Sequence, residues 1–161
     1  MTAPSRASDL YFVQEPVGEM ANLAYLIGSH ATREALLVDP AWDVESLLAR
    51  AERDGIRVVG ALATHYHQDH IGGSIFGMSI EGLARLMELS PMPVHVHARE
   101  ADGVRRVTGL SASDLVAHEG GDEITLGGLR IRLLHTPGHT PGSQCFLIDE
   151  AKHPPRLVSG D

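Results

Sequence analysis

The chain has 161 residues, enough for one hydrophobic core, and its 43% apolar content is ordinary for a soluble globular protein. Thirteen basic residues against 21 acidic ones leave a net charge of −8 with no Lys/Arg block, a field that opposes phosphate backbones and argues against a nucleic-acid partner. One cysteine excludes an internal disulfide, and no stretch reaches the roughly 18 apolar residues that span a bilayer, so no membrane partner is expected.

Met1 to Asp9 is polar and lacks the apolar segment of a secretory signal, which together with the lone cysteine gives a cytoplasmic reading. Strands are expected at Leu10 to Gln14, Asn22 to Gly28 and Glu34 to Asp39, the last bounded by Pro40, which cannot continue a ladder. Asp43 is placed to cap a helix from Val44 to Asp54, with Leu47, Leu48 and Ala51 on one face and Gly55 as the stop. A buried strand from Ile56 to Thr64 follows. A second helix is expected from Ser79 to Leu89, ended by Pro91, with Met78 and Met87 in the core. Next come a strand Val94 to His97, a short helix near Arg99 to Val107, and a hairpin of Glu123 to Leu126 and Leu129 to His135 joined by Gly127-Gly128.

The most informative run is His65-Tyr66-His67-Gln68-Asp69-His70, directly after the Ile56 to Thr64 strand. Alternate residues of an extended chain point the same way, so His65 and His67 can aim two imidazoles at one ion. A turn just after them would swing Asp69 and His70 toward a neighbouring ion. Gly72 and Gly73, without a Cβ, let backbone pass close to a metal centre. Imidazole with carboxylate suits zinc, and also accepts iron or manganese. Two further candidates lie downstream: His139, in the Pro-Gly-built turn His135 to Gly142, and Asp161, after the short apolar run Leu157-Val158.

Other histidines read differently. His95 and His97 alternate on a strand but have no carboxylate or third histidine near in sequence, so they are read as strand residues rather than a metal pair. His30, His118 and His153 are expected at the solvated surface. His135 is expected to support the turn that carries His139, and Cys145 to be a small buried apolar residue.

The segments T-H-Y-H-Q-D-H-I-G-G (Thr64 to Gly73), H-T-P-G-H-T-P-G (His135 to Gly142) and S-G-D (Ser159 to Asp161), with Leu37-Val38-Asp39-Pro40 upstream, resemble the metallo-beta-lactamase fold superfamily. Within it they are most similar to the glyoxalase II-like hydrolases and the related persulfide dioxygenases. The resemblance implies an α/β fold, an αββα sandwich of which residues 1–161 supply the N-terminal half as a domain that stops after the S-G-D ligand. That family fold occupies about 200 to 250 residues. It also implies a binuclear site: His65, His67 and His139 on a first ion, Asp69 and His70 on a second, and Asp161 bridging. One histidine of the second site is missing here, so unequal occupancy is expected, the first ion being the better bound. In the iron dioxygenase relatives the ion is held by residues corresponding to His65, His139 and Asp161.

The expected activity is a metal-dependent hydrolase that uses activated water, with Asp69 as ligand and catalytic orienting group, acting on a small-molecule thioester such as a glutathione conjugate. A divalent ion lowers the pKa of water to about 7, and two ions about 3.5 to 4 Å apart hold nucleophile and leaving atom together. No Ser-His-Asp or Cys-His pair and no phosphate-binding loop competes with this reading. The alternatives are an iron-dependent persulfide dioxygenase and an inactive metal-binding fragment that self-associates or needs a partner half to cover its open apolar face.

Overall fold

The computed structural model describes residues 7–161; the first part of the polar opening segment, 1–6, lies outside the described residues. In chain order the elements are β1 (Leu10–Val17), β2 (Asn22–Ser29), β3 (Glu34–Val38), α1 (Val44–Arg53), β4 (Arg57–Leu62), α2 (Gln68–Ile71), β5 (Gly73–Ile75), β6 (Met78–Ile80), α3 (Leu83–Leu89) and β7 (Val94–His97). They continue with α4 (Ala101–Thr108), β8 (Leu115–His118), β9 (Glu123–Leu126), β10 (Leu129–His135), β11 (Gln144–Glu150) and β12 (Arg156–Val158).

Two sheets face one another. The first runs β1-β2-β3-β4-β7-β8 and the second β12-β11-β10-β9. In the first, β1 to β3 are antiparallel, whereas β3, β4, β7 and β8 run parallel and so deliver their C-terminal ends to one edge. Such an edge is where open α/β sheets place their ligand sites.

Each face of the first sheet buries a separate core. Alternation along β3 and β4 sends Leu37, Ala61 and Ala63 toward Leu47, Leu83, Leu86 and Val104 of the helices. It sends Leu36, Val38 and Leu62 toward Ile131, Leu133, Phe146 and Ile148 of the second sheet. No described helix contributes a buried residue to that second cluster, and on the outer face of the second sheet the paired Leu147 and Leu157 stay partly or largely exposed.

Helix α1 forms as its sequence dictates: Asp43 accepts a hydrogen bond from the Ser46 amide at 3.0 Å, Val44, Leu47 and Ala51 are buried, and Gly55 adopts φ +70 just past the end. The Gly127-Gly128 hairpin also forms, with Leu126 opposite Leu129.

The expected helix from Ser79 is corrected. Residues 73–80 form a hairpin in which Ile75 pairs with Met78 across Phe76 and Gly77, both at positive φ, and α3 begins only at Leu83. Gly82 explains the late start: a Cβ there would lie 2.0 Å from the Ile71 carbonyl oxygen, so the chain is pressed against the histidine-rich loop before it can coil. Met78 is consequently exposed rather than in the core, while Met87 packs against it. Cys145 is half-exposed, because β11 turns Gln144, Phe146 and Ile148 inward and Cys145 outward.

Candidate metal centre

Strand β4 ends at Leu62, and the residues after it carry His65 and His67 beyond the C-terminal edge of the first sheet. His67 then starts α2, whose single turn brings Asp69 and His70 round to the same side. Gln144, entering β11, ties the sheets together: its amide donates to the Thr64 carbonyl and its Nε2 to the Ala63 carbonyl, both at 3.0 Å. The turn before it is pinned by the Thr136 amide on the Ser143 carbonyl at 2.8 Å and by a 2.7 Å contact between the Thr140 and Ser143 hydroxyls. It carries His139 to the mouth of the site. Gly160, at φ +63 against the Thr64 side chain, places Asp161 beside it.

One ligand atom from each of His65, His67 and His139 lies within 4.8 Å of the others, and the same holds for Asp69, His70 and Asp161. The three imidazoles of the first group meet edge to face, with ring centroids 4.6 to 4.8 Å apart. His67 Nδ1 is 3.0 Å from His139 Nε2. In the second group His70 Nε2 is 3.5 Å from Asp69 and 3.2 Å from Asp161, and Asp161 also lies 3.6 Å from His139. Asp161 thus stands between the two groups.

Asp39 completes the arrangement and was not singled out from the sequence as a site residue. It is buried and accepts from the Thr64 amide at 2.8 Å, the Thr64 hydroxyl at 2.6 Å and His70 Nδ1 at 2.9 Å. With its proton on Asp39, the Thr64 oxygen is free to accept from His65 Nδ1 at 2.9 Å. Both rings are therefore held by Nδ1, and both Nε2 atoms are buried without a hydrogen-bond partner among the described residues. This is how a carboxylate or hydroxyl behind a histidine fixes its tautomer and turns the other nitrogen toward a metal.

Electrostatics set the two buried imidazoles apart. Burial pushes His65 down to about 4, against the pull of Asp39, so its lone pair is available at neutral pH. Burial works against a charge on His70 as well, but Asp39, Asp161 and Asp69 outweigh it and hold His70 up to about 9. Burial and the nearby His139 lower His67. Burial opposes the charge on Asp69, yet the hydrogen bond from Asn22 at 2.9 Å and the neighbouring His70 keep it below the usual carboxylate value. Trp42 Nε1 donates to the Asp69 carbonyl at 3.0 Å, and Gly18 leaves room for the Trp42 ring. A cleft of about 350 Å³, with Met20, Asn22 and Tyr25 on its wall, opens beside Asp69, His70 and Asp161. Two carboxylates, Asp69 and Asp161, and four imidazoles whose ring nitrogens gather with them fit divalent cations.

The remaining histidines stay apart from this group. His95 Nδ1 faces His118 Nε2 at 2.8 Å, so His118 is largely buried rather than solvated as expected. His97 is buried and stacks on His135 with centroids 4.1 Å apart, while His135 Nε2 donates to the Pro141 carbonyl at 3.0 Å and braces the turn. His30 is exposed and His153 half-buried.

Residues 17–161 match the metallo-beta-lactamase superfamily. The chain belongs to that superfamily. A human hydroxyacylglutathione hydrolase-like protein is 34% identical over 142 residues, covering 87% of this chain and 42% of that protein. BaeB of Bacillus velezensis, named a probable polyketide biosynthesis zinc-dependent hydrolase, is 27% identical over 142 residues, covering 88% of this chain and 55% of that one. Among solved structures, ETHE1 from Myxococcus xanthus superposes with a TM-score of 0.67 at 29% identity, over 86% of this chain and 53% of that one. The chain spans about half the length of the curated relatives it matches.

Proposed function

We propose that this chain carries the metal centre of a glyoxalase II-like, zinc-dependent hydrolase that cleaves a small-molecule thioester such as a glutathione conjugate. The observation that carries the reading is the pair of buried Nε2 atoms on His65 and His70, each fixed through Nδ1 and neither hydrogen-bonded among the described residues, with His70 Nε2 facing Asp69 and Asp161. His65, His67 and His139 would hold the first ion, Asp69 and His70 the second, and Asp161 would bridge them. When bound, a divalent ion supplies acidified water at neutral pH and polarises the carbonyl under attack.

The chain's own residues do the rest. Asp69, fixed by Asn22 and Trp42, orients the attacking water and takes its proton. Asp39 and Thr64 keep both buried imidazoles in register. Met20 and Tyr25 give the cleft apolar surface for the acyl part of the substrate. A thiolate is a good leaving group, so no separate acid is required.

The acidic surface argues against nucleic acid, no described helix is long and apolar enough to cross a membrane, and a half-exposed lone cysteine suits a reducing, cytoplasmic setting. Purified protein should contain zinc and release free thiol from a glutathione thioester. A second reading, an iron-dependent persulfide dioxygenase, draws on the likeness to ETHE1 and on the grouping of His65, His139 and Asp161. Dioxygen uptake with a glutathione persulfide and no thioester cleavage would select it.

A further inference from the structure

Glu100 lies just before α4, in a tight turn after β7, and is only 1% exposed, although no cationic side chain pairs with it among the described residues. Its two carboxylate oxygens go to two different segments. Oε2 accepts from the Tyr66 amide at 2.8 Å, between His65 and His67, and Oε1 accepts from the Gly142 amide at 2.7 Å, three residues beyond His139. Both ends are built for the contact. Gly142 has no Cβ because one would lie 2.7 to 2.8 Å from the Glu100 side chain, and Tyr66 is held by Gly103 beneath its ring and Arg106 over it at 5.4 Å.

A carboxylate suits this place because it accepts at both oxygens; an amide would set an NH₂ against one of the two N–H donors. Leaving either buried amide unpaired is costly. We infer that Glu100 is a positioning residue that fixes the spacing of His139 from His65 and His67 and adds its negative charge behind them. It acts through the backbone and does not face the ligand atoms. The inference rests on the metal reading above.

The test is calorimetric titration of metal-depleted protein with Zn²⁺ alone, in the His70→Ala background so that only the three-imidazole group is read. Glu100→Gln should bind 10- to 100-fold more weakly than its parent, the range lost when a residue that orients a metal ligand is removed. With His70 intact, the Asp69–His70–Asp161 group should change only a few-fold. Folding is verified by circular dichroism before each titration. Gly142→Ala keeps the carboxylate but displaces it, and should weaken the same group; if Glu100→Gln does not fold, that variant decides alone. A folded variant with the parent's affinity overturns the role of Glu100 and leaves the metal reading standing. Absence of Zn²⁺ binding in the wild-type chain removes both.

Discussion

The Thr64 hydroxyl sits between Asp39, 2.6 Å away, and His65 Nδ1, 2.9 Å away, so one proton given to the carboxylate leaves the oxygen free to orient the imidazole. The relay depends on the parallel pairing of β3 with β4, in which Val38 stands opposite Leu62 and the Asp39 amide donates to the Leu62 carbonyl at 3.0 Å. Thr64→Val keeps the shape and deletes the hydroxyl, leaving the buried His65 Nδ1 unpaired and Asp39 Oδ2 with His70 Nδ1 alone. The expected loss is about 1 to 3 kcal/mol of folding stability, read from urea unfolding. Retention of full stability would mean that the relay contributes nothing.

Asp39→Asn should weaken the second ion about 10- to 100-fold, because the carboxylate that holds His70 Nδ1 is replaced by a neutral group. Zinc titration monitored by calorimetry gives the answer, and unchanged affinity would show that His70 needs no support.

Much of this centre is visible in the chain itself. The His65 to His70 run is legible because metal donors crowd into six positions after an apolar strand, and the Pro-Gly turn marks where His139 stands. The roles of Asp39 and Glu100 are not legible, since a lone acid carries no spacing signal of its own, and each gains its meaning only from a neighbouring strand or turn. The Phe76-Gly77 hairpin was hidden by Ile80, Leu83, Leu86 and Met87, whose helical spacing is real for α3 but extends one turn too far upstream. His118 reads as a surface residue because its partner, His95, lies on the adjacent strand.

That hairpin gives a prediction independent of any metal. Phe76 is 96% exposed and sits at φ +48, where asparagine is better suited than a bulky side chain. Phe76→Asn should raise stability by about 1 kcal/mol and leave metal content unchanged. Thermal melts decide it, and a lower melting temperature would contradict the turn geometry.

Burial, with His118 close by, pushes His95 down to about 4 from its ordinary 6.5. A histidine that resists protonation in the folded state takes up its proton more readily when unfolded, so its contribution is full above pH 6.5 and is lost as pH falls toward 4. His95→Gln should therefore flatten the fall in stability between pH 6.5 and 4, by on the order of 1 kcal/mol at pH 5. Parallel unfolding curves for variant and wild type across that range would refute this. The same variant, like His97→Ala, should leave metal content unchanged.

Elemental analysis of the purified wild-type chain and four single-alanine variants bears most directly on the metal centre. Bound zinc is expected in the wild type, with loss of most of it in His65→Ala, His67→Ala and His139→Ala, and in His70→Ala depletion confined mainly to the second, more weakly held ion. Equal loss from all four variants, or no divalent metal in the wild type, would contradict that expectation.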